Sequence, residues 1–117
     1  MALYRIRQVG IDVRDLGAMT DFWSAALGYE LDHRERGYAL LRDPAGTEPR
    51  LFLQQVSEPK LGKNRAHMDI EVPDERAAVD RLTGLGACVL WRQDFGTHYW
   101  TVLADPEGNE FCVGHFD

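Results

Sequence analysis

The sequence predicts an α+β fold of two tandem βαβββ modules, each a curved mixed sheet of half-barrel shape, arranged around a concave pocket. Three observations predict it. The stretch Ile11-Asp12-Val13-Arg14-Asp15 returns 59 residues later as Ile70-Glu71-Val72-Pro73-Asp74. Each copy is followed by an amphipathic stretch ending in Leu-Gly, and each half carries a matched Asp-Pro-x-Gly turn before its last strand. A repeat of this kind decides the fold before any single element is read.

In the first half, Val9, Ile11 and Val13 alternate with Gln8, Gly10 and Asp12, the period of a strand with one covered face. Leu16 to Leu27 places Met19, Phe22, Trp23, Ala26 and Leu27 on one helical stripe. Asp15 suits its N-cap, and Gly28 its exit, because glycine takes the left-handed conformation without steric cost. A short run, Tyr29 to Leu31, then a polar break, then a strand entering the turn Asp43-Pro44-Ala45-Gly46 follow, with Pro and Gly where a type I turn wants them. The last strand, Arg50 to Val56, alternates Leu51 and Leu53 with Phe52 and Gln54.

The second half repeats the order. Met68, Ile70 and Val72 alternate with His67, Asp69 and Glu71; the helix Glu75 to Leu85 carries Ala78, Val79, Leu82 and Leu85, with Asp74 as N-cap and Gly86 beyond. A run from Ala87 to Trp91, the turn Asp105-Pro106-Glu107-Gly108 and the strand Glu110 to His115 complete it, with Phe111 and Val113 alternating against Cys112 and Gly114. The modules span residues 1–56 and 66–117, joined by a Pro-, Gly- and Lys-containing linker, residues 57–65. Units of about 55 residues leave much apolar sheet open to water, so one domain over residues 1–117 is expected.

Composition narrows the function classes. Nineteen acidic against thirteen basic residues, a formal net charge of −6, argue against nucleic acid, whose phosphates need clustered Lys and Arg. No apolar run is long enough to cross a membrane and no apolar signal region opens the chain, so a cytoplasmic protein is expected. Cys88 and Cys112 lack CxxC spacing and are expected as reduced thiols.

If the apolar set of each strand covers a helix, the opposite face holds the chemistry. The repeat aligns Gln8 with His67 and Phe52 with Cys112, expected together at the centre of the inner face. Tyr38, Phe52, Tyr99 and Trp100 add aromatic wall near His67 and Asp69, the mixture of apolar surface and few polar groups that small-molecule sites use. The expected ligand contacts are Gln8, Tyr38, Phe52, Gln54, His67, Trp100 and Cys112. His67, with Asp69 two positions on along the same face, is the candidate acid or base. Cys112 has no adjacent base in the sequence and is expected to be buried and inert. The run Lys60 to Arg65 reads either as an anion-recognising rim or as a solvated linker. His98, Tyr99 and Trp100 read either as a stacking surface or as packing.

The opening Val13-Arg14-Asp15-Leu16, Asp21-Phe22-Trp23, the exit Leu27-Gly28-Tyr29 and the closing run from Asp105 to Phe111 resemble the vicinal oxygen chelate superfamily over nearly the whole chain. Its members include glyoxalase I, bleomycin-resistance proteins and extradiol dioxygenases. The run from Lys63 to Asp69, with Phe111-Cys112-Val113, is similar to its glyoxalase-like branch abundant in actinobacteria. The resemblance implies a divalent metal held by the first and last strand of each unit, at positions that fall here on Gln8, Phe52, His67 and Cys112. Only His67 keeps the expected ligand type, so no metal or other cofactor is expected. The chain then reads as a small-molecule-binding protein resembling the bleomycin-resistance type; the alternative is a glyoxalase- or lyase-type enzyme using His67 with Asp69. The resemblance also implies a homodimer, with Trp23, Tyr29 and Trp91 as candidate interface residues.

Overall fold

The computed structural model describes residues 1–116. They divide into two compact units, Met1–Pro59 and the residues from Lys60 onward, and the division falls within the linker read from the sequence. Each unit is one four-stranded mixed sheet with one helix.

In the first unit the order is β1 (Gln8–Val13), α1 (Leu16–Leu27), β2 (Glu30–Glu35), β3 (Tyr38–Arg42) and β4 (Arg50–Gln55). The sheet runs β1-β4-β3-β2, with β1 parallel to β4 and the other pairs antiparallel. The helix makes the crossover that a parallel first strand requires. Asp15 accepts a hydrogen bond from the Ala18 N–H at 3.0 Å, and Gly28, at φ 71°, closes the helix by donating to the Ser24 carbonyl. Helix and sheet bury Val13, Met19, Trp23, Leu41, Leu51 and Leu53, each 2 % exposed or less. Trp23 therefore belongs to the core and is not an interface residue: it lies on the helical stripe that covers the sheet. Tyr29 is half-buried, its hydroxyl donating to the Pro49 carbonyl at 2.8 Å.

The second unit repeats the pattern with β5 (Asp69–Glu71), α2 (Glu75–Gly84), β6 (Cys88–Asp94), β7 (Tyr99–Ala104) and β8 (Glu110–His115), in the sheet order β5-β8-β7-β6. Asp74 caps α2 through the Ala77 N–H at 3.1 Å. Glu75, in the first turn, ties the helix to the sheet by accepting from Thr101 Oγ1 at 3.0 Å and from Arg92 at 2.8 Å. Both predicted turns close, Gly46 N–H to Asp43 O and Gly108 N–H to Asp105 O, each 2.8 Å. Asp105 is 2 % exposed, and its carboxylate accepts from the N–H groups of Glu107 and Asn109.

β4 ends at Gln55 and α2 at Gly84, each one residue short of the sequence reading, and three differences are larger. The polar break after Leu31 is strand, because β2 is a sheet edge whose six residues are all exposed and so show no alternation; charged side chains suit such an edge. The other edge, β6, likewise runs on to Asp94. The strand β5 is only three residues long, so His67 lies just before it. Among the described residues no helix is long and apolar enough to cross a membrane.

Candidate functional site

In the second unit α2 covers one face of the sheet and the other face is open to a ligand. Register decides which side chains share that open face: Asp69 pairs with Cys112, Val102 with Cys112, Trp91 with Val102, and Trp100 with Gly114. A cavity of about 590 Å³ lies there. Its walls are Leu90, Trp91, His98, Trp100, Val102 and Phe116; His67, Asp69 and Cys112 form a polar floor, and Lys63 and Glu110 stand at one side.

On the floor, His67 Nδ1 and Asp69 Oδ1 are 2.9 Å apart. A carboxylate only accepts, so Nδ1 carries the proton and donates it, which leaves Nε2 for a ligand. Cys112 Sγ is 3.9 Å from the same Nδ1. Burial pushes the Cys112 thiol up from its ordinary 9.0 to about 11, and the Asp69 charge and hydrogen bond push the same way, against the Lys63 charge. Cys112 is thus a protonated thiol at neutral pH and no nucleophile. The exposed Cys88 supplies a control. At pH 8 a thiol reagent is expected to modify one cysteine per native chain, Cys88, with Cys112 reacting only as the pH approaches 11 or on unfolding; mass spectrometry of the labelled peptides reads this. Because the unfolded thiol ionises first, stability from this group is full below pH 9 and is lost as the pH rises toward 11.

At the cavity's side the segment before His67 is strapped to the start of β8. Lys60 Nζ donates to the Glu110 carboxylate and to the Gly62 carbonyl. The Asn64 N–H donates to Glu110 Oε2 at 3.0 Å and Asn64 Nδ2 to the Glu110 carbonyl at 3.1 Å. Burial raises the Glu110 carboxyl, but the Lys60 and Asn64 hydrogen bonds, with the Lys60 and Lys63 charges, outweigh it and hold it below its ordinary range. Residues 60–64 are therefore tied to the sheet, and Lys63 among them lines the cavity.

The aromatic wall is a row of nearly parallel rings. His98 and Trp100 have centroids 6.1 Å apart at 18°, and Trp100 and Phe116 are 6.0 Å apart at 25°. Tyr99 does not join it. Alternation turns Tyr99 to the other face, where its ring lies 5.4 Å below the Arg92 guanidinium. Trp91, half exposed, belongs to the cavity wall.

The corresponding face of the first unit holds Gln8, Tyr38, Phe52 and Gln54, brought together by the pairs Gly10–Phe52, Asp12–Gln54 and Tyr38–Gln54. Gln8 Oε1 accepts from Arg50 at 2.7 Å, and the Phe52 ring lies 5.4 Å from that of Tyr38. The sequence reading missed Leu90, Trp91, Val102, Glu110 and Phe116 as cavity residues, and it left His98 open between a stacking surface and packing. Alternation along β7 could have found His98 and Val102 beside Trp100.

Two metal positions implied by the resemblance, Gln8 and Phe52, supply an amide already bonded to Arg50 and no donor at all. In the second unit the donor atoms of His67, Asp69 and Cys112 lie within 4.8 Å of one another. These three would suit a soft divalent ion only with Cys112 as thiolate and with the His67–Asp69 hydrogen bond opened.

A family profile described as glyoxalase-like domain matches residues 8–114. No curated protein matches the chain. Among solved structures, a glyoxalase/bleomycin resistance protein/dioxygenase family enzyme from Burkholderia phytofirmans PsJN is similar at TM-score 0.78 and 20% identity, over 95% of this chain and 98% of that one. The fosfomycin resistance protein FosX from Mesorhizobium loti is similar at TM-score 0.77 and 14% identity, over 100% and 95%. A mutant FosX from Listeria monocytogenes, complexed with Mn(II) and dihydroxypropylphosphonic acid, is similar at TM-score 0.79 and 12% identity, over 97% and 90%. At such identities the likeness is one of fold.

Proposed function

The chain belongs to the glyoxalase-like domain family, and from that premise we propose that it binds a small planar organic molecule in the cavity of its second unit, with no metal required. One observation carries the reading. A cavity of about 590 Å³ combines a row of stacked rings with a compact polar floor, and small-molecule sites run from roughly 300 to 1,000 Å³ with that division of labour. A flat ring laid against Trp100 buries apolar area on both partners, and offset stacking adds about 0.5–1.5 kcal/mol. His67 Nε2 then fixes orientation by one hydrogen bond. Two of the four metal positions implied by the resemblance, Gln8 and Phe52, offer only an amide already bonded to Arg50 and a hydrocarbon ring, which supports independence from metal.

Trp91 and Trp100 line the cavity while Trp23 is fully buried in the first unit, so intrinsic fluorescence reports on binding. A screen of planar metabolites and antibiotics in the presence of EDTA is expected to find compounds that quench this emission and raise the melting temperature. Trp100→Ala is expected to weaken such binding at least about tenfold, since aromatic anchors carry most of the affinity of small sites. A broad library without a single quenching or stabilising compound refutes the proposal.

The 2.9 Å His67–Asp69 hydrogen bond favours a second reading, in which the bound molecule is also a substrate and His67 moves a proton at Nε2. Proton transfer by a positioned His contributes about 10² to 10⁴ in rate. His67→Gln should then keep binding and lose turnover, and a ligand converted equally fast by that variant excludes His67 as the proton carrier. A homodimer in the cytoplasm completes the proposal, the dimer supported by the exposed Val89 on edge strand β6; a monomeric mass by light scattering would remove that part.

A further inference from the structure

We infer that the ligand of this cavity is a planar aromatic anion, its acid group met by Lys63 and its ring laid along Trp100. This rests on the small-molecule-binding reading above and adds the ligand's chemical class.

The charges on the cavity wall point to an anion. Four residues there carry or can take charge near neutral pH besides His98: Lys63, His67, Asp69 and Glu110. Glu110 is already neutralised, by Lys60 and by the Asn64 N–H at 3.0 Å. Asp69 is already engaged by His67 at 2.9 Å. Lys63 alone has no hydrogen-bond or ion-pair partner among the described residues. Each carboxylate thus already holds at least one donor, and the charged group without a hydrogen-bond or ion-pair partner is the Lys63 cation.

Position strengthens the point. The Lys63 ammonium acts electrostatically on both Glu110 and Cys112, so its charge reaches from the cavity's side to its floor. The backbone that bears it is fixed one residue away, where Asn64 bonds twice to Glu110. Ordering of this loop is therefore complete before a ligand arrives, which favours binding. A planar cation would meet the same rings but also the Lys63 charge, with both nearby carboxylates already holding donors. An anion gains a charge-assisted hydrogen bond from Lys63, and the His67 imidazole is at hand to share its charge.

Naphthalene carboxylate, its neutral carboxamide and the corresponding naphthylmethylammonium share one ring and differ in charge, so they serve as probes. Titrated by tryptophan quenching at low ionic strength, the carboxylate is expected to bind about tenfold tighter than the carboxamide, with the ammonium compound weakest. Lys63→Met, an exposed substitution that keeps the melting temperature, is expected to erase the gap between acid and amide and to leave the amide within twofold. Added salt should weaken the acid alone. Equal binding of acid and amide, or a gap that survives Lys63→Met, overturns the anion assignment and leaves the aromatic cavity intact. If none of the three probes quenches Trp91 and Trp100 in folded protein, the small-molecule reading beneath it fails too.

Discussion

Gly114→Ala is expected to cost more than about 4 kcal/mol and to deplete the soluble, folded protein. A Cβ at Gly114 would lie 2.1 Å from the Tyr99 carbonyl oxygen, 2.6 Å from Trp100 Cα and 2.8 Å from Trp100 Cβ. These are backbone or near-backbone atoms of the neighbouring strand, so no rotamer change relieves the clash. Strand separation cannot relieve it either. Gly114 pairs with Trp100 on one side and Glu71 on the other, and its carbonyl accepts from the Val72 N–H at 3.1 Å, so moving β8 off β7 also disturbs β5. The missing side chain is what lets Trp100 sit over the strand and present its ring to the cavity. Gly10→Ala is the matched control, since its Cβ would meet Phe52 at an ordinary 3.8 Å, and it should stay within about 1 kcal/mol of the parent. Chemical denaturation of both variants reads the difference; a Gly114→Ala protein melting within a few degrees of the parent would refute the steric account.

What could be read from the sequence depended on whether the signal was local. The helix α1 runs from Leu16 to Leu27 as its cap chemistry foretells, because Asp15 and Gly28 act on the backbone within one turn. Both Asp-Pro-x-Gly turns form for the same reason. Alternation placed His67, Asp69 and Cys112 on one face, since the side-chain period of a strand is set by its pleat. It was not applied to Tyr99 and Trp100, both expected in the aromatic wall although only Trp100 lines the cavity. The edge strands β2 and β6 were blurred because residues exposed on both sides carry no period. Trp91 was not legible as a cavity residue for a subtler reason. A register shift between Val89 and Trp91 inserts Leu90 as an extra residue and sets Trp91 opposite Val102, on the cavity face, and a bulge of this kind leaves no mark in composition. The run Lys60 to Arg65 was legible as a candidate anion-recognising rim, but the contact that ties it beside the cavity, from Asn64 to Glu110, is 46 positions away in the chain.

Trp23→Ala is expected to destabilise the protein by about 3–5 kcal/mol, the range for removing a fully enclosed indole. Trp23 is 0 % exposed, its ring meets Phe22 edge-on at 5.1 Å and 90°, and α1 lays it on the sheet that buries Leu41, Leu51 and Leu53. Removal leaves a void walled by strands held in their ladders, which cannot close around it. Trp23→Phe refills part of that space and should lose less, about 1–3 kcal/mol. The form of the loss separates core from interface. A tryptophan buried between two copies would give a melting temperature that rises with protein concentration in the parent and loses that dependence in the variant, by mass action. A tryptophan enclosed within one unit lowers the melting temperature by the same amount at every concentration. Melting curves of parent and variant across a hundredfold dilution should therefore stay parallel, and curves that converge on dilution would return Trp23 to an interface.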